Sequence, residues 1–66
     1  MPAHLGNAVC RAETRLAIQV DIGKETYWIP KSVVDPESEV HEKNDIGELI
    51  VRTWFADREG IPYSDW

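Results

Sequence analysis

Glu25-Thr26-Tyr27-Trp28-Ile29-Pro30-Lys31-Ser32-Val33-Val34 decides the fold. Its first five residues are rich in the aromatic and β-branched types that favour strands, and Pro30, which cannot donate a ladder hydrogen bond, stops the strand or confines it to an edge. Tyr27 and Trp28 are neighbours, so on a strand they point to opposite faces and one of them faces out. Upstream, Thr14 to Asp21 alternates, with Leu16, Ile18 and Val20 on one side and Arg15, Ala17, Gln19 and Asp21 on the other, the period of a half-buried strand. Asp21-Ile22-Gly23-Lys24 carries the turn signal, with Gly23 free to take positive φ. So short a connection leaves no room for a parallel crossover, and the two strands form an antiparallel hairpin.

Downstream, Lys31 to Val34 is compatible with a single turn or with a continuing extended piece. Asp35-Pro36 opens a loop, because the residue before proline is biased away from helix. From Asp35 to Asn44 the apolar content falls to Val40. Ile46-Gly47-Glu48-Leu49-Ile50-Val51-Arg52 reads as a third strand. Thr53 is placed to cap a short helix over Trp54 to Glu59, with Gly60 ending it and Pro62 just beyond. Trp28, Trp54 and Phe55 are expected in the core, because a sheet this small needs large side chains to bury enough area. Residues 1–11 read as a tail or short edge segment; Pro2 and Gly6 argue against a helix there. The expectation is one α+β domain over residues 1–66, with a three-stranded antiparallel sheet, open or closed into a partial barrel, one short C-terminal helix, and an acidic loop over 35–45.

Composition sets the limits. At 66 residues, 42% hydrophobic and 29% charged with a net charge of -5, the chain is one globular domain that buries about 60% of its unfolded surface. Cys10 is the single cysteine, which excludes an internal disulfide and a cysteine-built zinc site and fits a reducing, cytoplasmic setting. The apolar runs are too short for a membrane-spanning helix, and Met1 to Cys10 lacks the basic start and long apolar middle of a secretory signal.

Catalytic chemistry is hard to assemble. The possible nucleophiles are Cys10, Ser32, Ser38 and Ser64, with His4 or His41 as base, and none sits in a nucleophile elbow or a Gly-rich setting. Asp35, Glu37, Glu39, Glu42 and Asp45 offer oxygen ligands to a hard cation, yet the loop lacks the alternate spacing and central glycine of a calcium loop. No enzyme activity, cofactor or metal is expected. The informative feature is charge. Residues 35–48 hold six acids, Asp35, Glu37, Glu39, Glu42, Asp45 and Glu48, against Lys43, while the rest of the chain carries six acids against six bases and is neutral. Such a distribution focuses negative potential on one side. It disfavours direct nucleic-acid binding, which needs Lys/Arg surfaces, and suits a basic partner. These six acids, with Tyr63 and Trp66 as aromatic anchors, are the candidate partner-binding residues.

Trp28-Ile29-Pro30-Lys31-Ser32, followed by Gly47-Glu48-Leu49-Ile50-Val51, Trp54-Phe55-Ala56 and Gly60, resembles a group of very small phage and prophage proteins, over roughly residues 14 to 61. The usual form in that group has a proline just before the Trp-Phe pair, where this chain has Thr53. Some small proteins of this kind are anti-CRISPR inhibitors. The resemblance implies a bacterial host cell and an inhibitor whose acidic, DNA-mimicking face occupies the basic DNA-binding surface of a Cascade-like CRISPR effector subunit. The alternative is an accessory of phage recombination or replication that binds single-stranded nucleic acid or protein. The resemblance transfers no functional residues.

Overall fold

The computed structural model describes residues 2–64. Its order is β1 (Pro2–Glu13), β2 (Ala17–Ile22), β3 (Glu25–Pro30), a single 3-10 turn (Lys31–Val33), β4 (Ile46–Arg52) and α1 (Thr53–Glu59). The strands form one antiparallel, open sheet in the order β3-β2-β1-β4, with the short C-terminal helix against it, an α+β fold. There is no barrel, because β3 and β4 stand at opposite edges.

The hairpin is as expected. Ile22 faces Glu25 across two turn residues, and Gly23 takes φ 61 at the first of them, the placement that a type II′ hairpin turn requires. Leu16, expected to begin the alternation, lies in the turn before β2 and is exposed.

The main correction concerns the N-terminal segment. Residues 2–13 are neither tail nor edge: β1 is a central strand paired with both β2 and β4, and the sheet has four strands instead of three. Pro2 sits at the first strand position, where its missing N–H is tolerated. Gly6, at φ 88, follows a bulge in the pairing with β4 between His4 and Gly6. The bulge shifts the alternation by one, so Ala3 and Leu5 face the core before it and Ala8 and Cys10 after it.

One face of the sheet is covered by α1 and by the segment between the 3-10 turn and β4. Ile18, Val20, Ile29, Leu49, Val51, Phe55, Ala56 and Ile61 meet there with the β1 residues, and Tyr27, Val34 and Tyr63 pack at the margin. Phe55 is buried as expected; Trp28 (53% exposed) and Trp54 (56%) are not. Trp28 lies on the other face, opposite Ile29. Trp54 projects outward from α1, edge-on to Phe55 at 6.0 Å and capped by the Arg58 guanidinium at 5.8 Å, a helical i, i+4 cation–π pair.

The helix starts one residue earlier than expected: Arg52 holds the N-cap position and makes no side-chain cap bond, so Thr53 is not the cap. Its end is as read. Gly60 adopts φ 69, its N–H reaches Asp57 O, and Ile61 N–H reaches Ala56 O at 2.9 Å. This paired closure, with Ile61 buried against the core, is a Schellman arrangement.

Candidate acidic face on the β4 edge

The acid-bearing segment is no free loop. Val34 bridges to Val51, Asp35 N–H donates to Ile50 O at 2.8 Å, and Glu39 N–H donates to Glu48 O at 2.9 Å, so residues 34–39 run along the outer edge of β4. Ser38 fixes this register. Its buried hydroxyl accepts from Ile50 N–H at 3.1 Å and Val40 N–H at 3.2 Å, and lies 3.3 Å from the carbonyls of Val40 and Glu48. The next apolar residue, Val40, is completely buried and enters the core. The segment then crosses to β1, where Cys10 N–H donates to Asp45 O and Asn44 N–H to Cys10 O. Asn44 takes φ 78 at this corner, a conformation that Asn tolerates better than most residues.

The six acids divide by what their carboxylates do. Asp35 accepts from Glu37 N–H at 2.9 Å and lies 4.0 Å from Arg52. Glu39 accepts from Glu48 N–H at 2.8 Å. Asp45 accepts from His41 N–H at 2.9 Å and Glu42 N–H at 3.0 Å; these bonds, that from His41 first, hold its pKa below the ordinary carboxylate value. Glu48 Oε2 lies 3.2 Å from His4 Nδ1. Among the described residues, the Glu37 and Glu42 carboxylates have no such engagement. Four acids therefore also organise the segment, while Glu37 and Glu42, both exposed, are free to meet a partner.

Of the aromatic anchors, Tyr63 is half-buried, and its hydroxyl donates to Asp57 Oδ1 at 2.7 Å. It shares with Glu48, His4 and Gly6 an open cleft of about 310 Å3. Trp66 lies outside the described residues. The structure thus places Asp35, Glu37, Glu39 and Glu48 along the β4 edge, with Glu42 and Asp45 at the corner where the segment meets β1, and sets Tyr63 beside Glu48. The exposed tryptophans, Trp28 and Trp54, sit elsewhere, and sequence reading placed both in the core.

Of the candidate nucleophiles, Cys10 and Ser38 are poorly disposed for catalysis, whereas Ser64 lines the cleft that also holds His4 and Glu48. Cys10 is buried, its Sγ 3.3 Å from Ala12 O, and burial pushes its thiol pKa up, which suppresses the reactive thiolate. Ser38 is consumed by backbone bonds. Among the described residues no group of three or more His, Cys, Asp or Glu could hold a metal ion, and no helix is long and apolar enough to cross a membrane.

Away from the β4 edge, three acids are paired with bases. Arg11 donates to Asp21 at 2.7 Å, Lys31 binds Glu13, and Arg58 lies 3.3 Å from Glu59. Lys31 and then Lys43 N–H lower the Glu13 pKa; Arg11 and then Thr26 lower that of Asp21.

Sequence reasoning missed Ser38 as the clasp of the segment and Gly47 as its seat. Gly47 has φ 156, and a Cβ there would stand 2.8 Å from both Glu39 Cβ and Oε1. Loss of a side chain just where a strand enters beside an acidic loop is the sequence signal that marks such a close approach. No family model, curated protein or solved structure matches the chain.

Proposed function

We propose that this protein is a non-catalytic binding module that presents the acidic β4 edge to a basic, nucleic-acid-binding surface, and that the surface belongs to a CRISPR effector complex of the Cascade-like kind. The observation that carries the reading is the concentration of the whole net charge, -5, in residues 35–48, together with the pinning of that segment to β4 by Ser38 and by backbone bonds. A fixed array of carboxylates loses less entropy on binding than a mobile loop would. It can also satisfy cations that otherwise contact phosphates. The likeness of Trp28–Ser32 and Gly47–Val51 to small phage proteins supports the choice of partner, and the buried, high-pKa Cys10 supports a role other than catalysis.

The test is target-DNA binding by a purified effector complex with and without this protein. The double variant Glu37→Lys/Glu42→Lys alters only exposed carboxylates without internal partners and leaves four acids against three bases in the segment. It should keep the thermal unfolding midpoint within a few degrees and lose inhibition by about tenfold or more, since charge reversal at an electrostatic interface sets like charges together. Inhibition undiminished in the double variant overturns the acidic-face reading.

A further inference from the structure

The opposite edge of the sheet carries a separate surface. Lys31 N–H donates to Leu16 O at 2.8 Å, so in the β2–β3 register that pair is hydrogen-bonded. Antiparallel pairs alternate, and with Ala17 facing Pro30, Gln19 facing Trp28 and Asp21 facing Thr26, those three are the non-bonded pairs. The N–H and C=O groups of Thr26 and Trp28 consequently point away from the sheet, as does the carbonyl of Pro30. No strand lies beyond β3 among the described residues. The exposed Trp28 stands beside these groups on the open face.

We propose that β3 is a self-pairing edge through which two copies of this chain join into one continuous sheet. An antiparallel two-fold centred on Tyr27 sets Thr26 of one copy opposite Trp28 of the other. Both positions then exchange their outward N–H and C=O groups, and each Trp28 ring lies over the other copy's Thr26. In the same register Glu25 faces Ile29 and Lys24 faces Pro30, so no like charges oppose one another. This self-complementary register selects a second copy as occupant, and the charge distribution permits it. The part of the chain outside residues 35–48 is neutral, and the acidic edge lies three strands away. Joined through β3, the two acidic edges stand seven strand spacings apart, about 34 Å at about 4.8 Å each, against a screening length of about 8 Å at physiological salt. Repulsion between the acidic segments is thereby removed from the contact. This surface is independent of the partner proposed for the β4 edge.

Sedimentation equilibrium across a concentration series tests the proposal. The contact is below standard interface size, so association should fall in the micromolar-to-millimolar range, roughly 10 μM to 1 mM. The average mass should rise over that series from 7.6 kDa towards twice that value. Trp28→Lys, a change at an exposed position, should hold the mass at the monomer value throughout while the circular dichroism spectrum is unchanged. In the unmodified protein, hydrogen exchange of the Thr26 and Trp28 amides should slow several-fold with concentration, a readout that needs no variant. A mass fixed at the monomer value up to about 1 mM overturns the inference, as does a dimer that persists in Trp28→Lys with Thr26 and Trp28 amides equally fast at all concentrations.

Discussion

The two edges of this sheet solve the same problem in opposite ways. β4 would leave a row of backbone groups unpaired, and residues 34–39 cover it with a bridge at Val51, two backbone hydrogen bonds and the Ser38 hydroxyl. β3 has no such cover; its shortness, Pro30 and the charged pair Lys24-Glu25 at the turn keep pairing along it short and weak. The difference teaches that charge and edge protection at β4 come from one segment. Asp35, Glu39 and Asp45 accept backbone N–H groups of that segment or its neighbour strand, so their negative charge cannot be removed without loosening the cover. At β3, side chains and backbone are separable, and Trp28 can be changed with little cost to the fold.

The heaviest blow to this contrast should come from Ser38→Ala. It strips the partner from two N–H groups, those of Ile50 and Val40, inside a covered edge. At about 1–3 kcal/mol for each unsatisfied buried group, the loss is a large part of the roughly 3–10 kcal/mol expected for a domain of this length. Urea titration of the variant should show a midpoint collapsed towards zero denaturant; a midpoint close to that of the parent would mean that the cover contributes little. Gly47→Ala comes next. The added Cβ meets Glu39 at 2.8 Å in a backbone conformation, φ 156, that other residues rarely adopt, and the expected cost is about 1–3 kcal/mol. The same titration checks it, and Glu39→Ala in the same chain should restore part of the loss by clearing the contact.

The smallest effect is a pH dependence confined to one side. Backbone donors depress the folded pKa of Asp45, so its contribution is fully present above the unfolded carboxylate value of about 3.9 and is lost as pH falls through the lower folded value. Asp45→Asn should therefore melt below the parent at pH 7, with the gap narrowing as pH falls below the unfolded carboxylate value. A gap that stays constant with pH would show that Asp45 acts by shape alone.

Much of the fold was legible because local rules acted without interference. The alternation of Ile18 and Val20, the Gly23 turn, the β-branched run into β4 and the Gly60 stop all appear in the structure where they were read. β1 was not legible, because the bulge before Gly6 breaks its period into two short phases, and of its inward residues Ala3, Ala8 and Cys10 are too small to stand out as a strand, leaving Leu5 alone. Trp28 was misplaced for a different reason. Alternation separates Tyr27 from Trp28 without saying which side the helix covers, and that depends on where Phe55 and Val40 arrive from distant parts of the chain. For the acidic edge, the charge could be counted from the sequence. The clasp by Ser38 could not, since a serine in a polar stretch gives no sign of being buried.

The position of β1 also governs the order of assembly. Pro2 faces Arg52, and His4 exchanges backbone hydrogen bonds with Ser64, so the strand at the centre of the sheet waits for partners from the far end of the chain. The β2–β3 hairpin can close early by local contacts, whereas β1 gains its second neighbour only after a long loop has been closed. On a ribosome, β1 emerges before β4 and is thus held on one side alone until synthesis has passed residue 52. Until β4 arrives, one side of β1 lacks its partner strand, and the half-built sheet is one more substrate for any protein that captures unpaired strands.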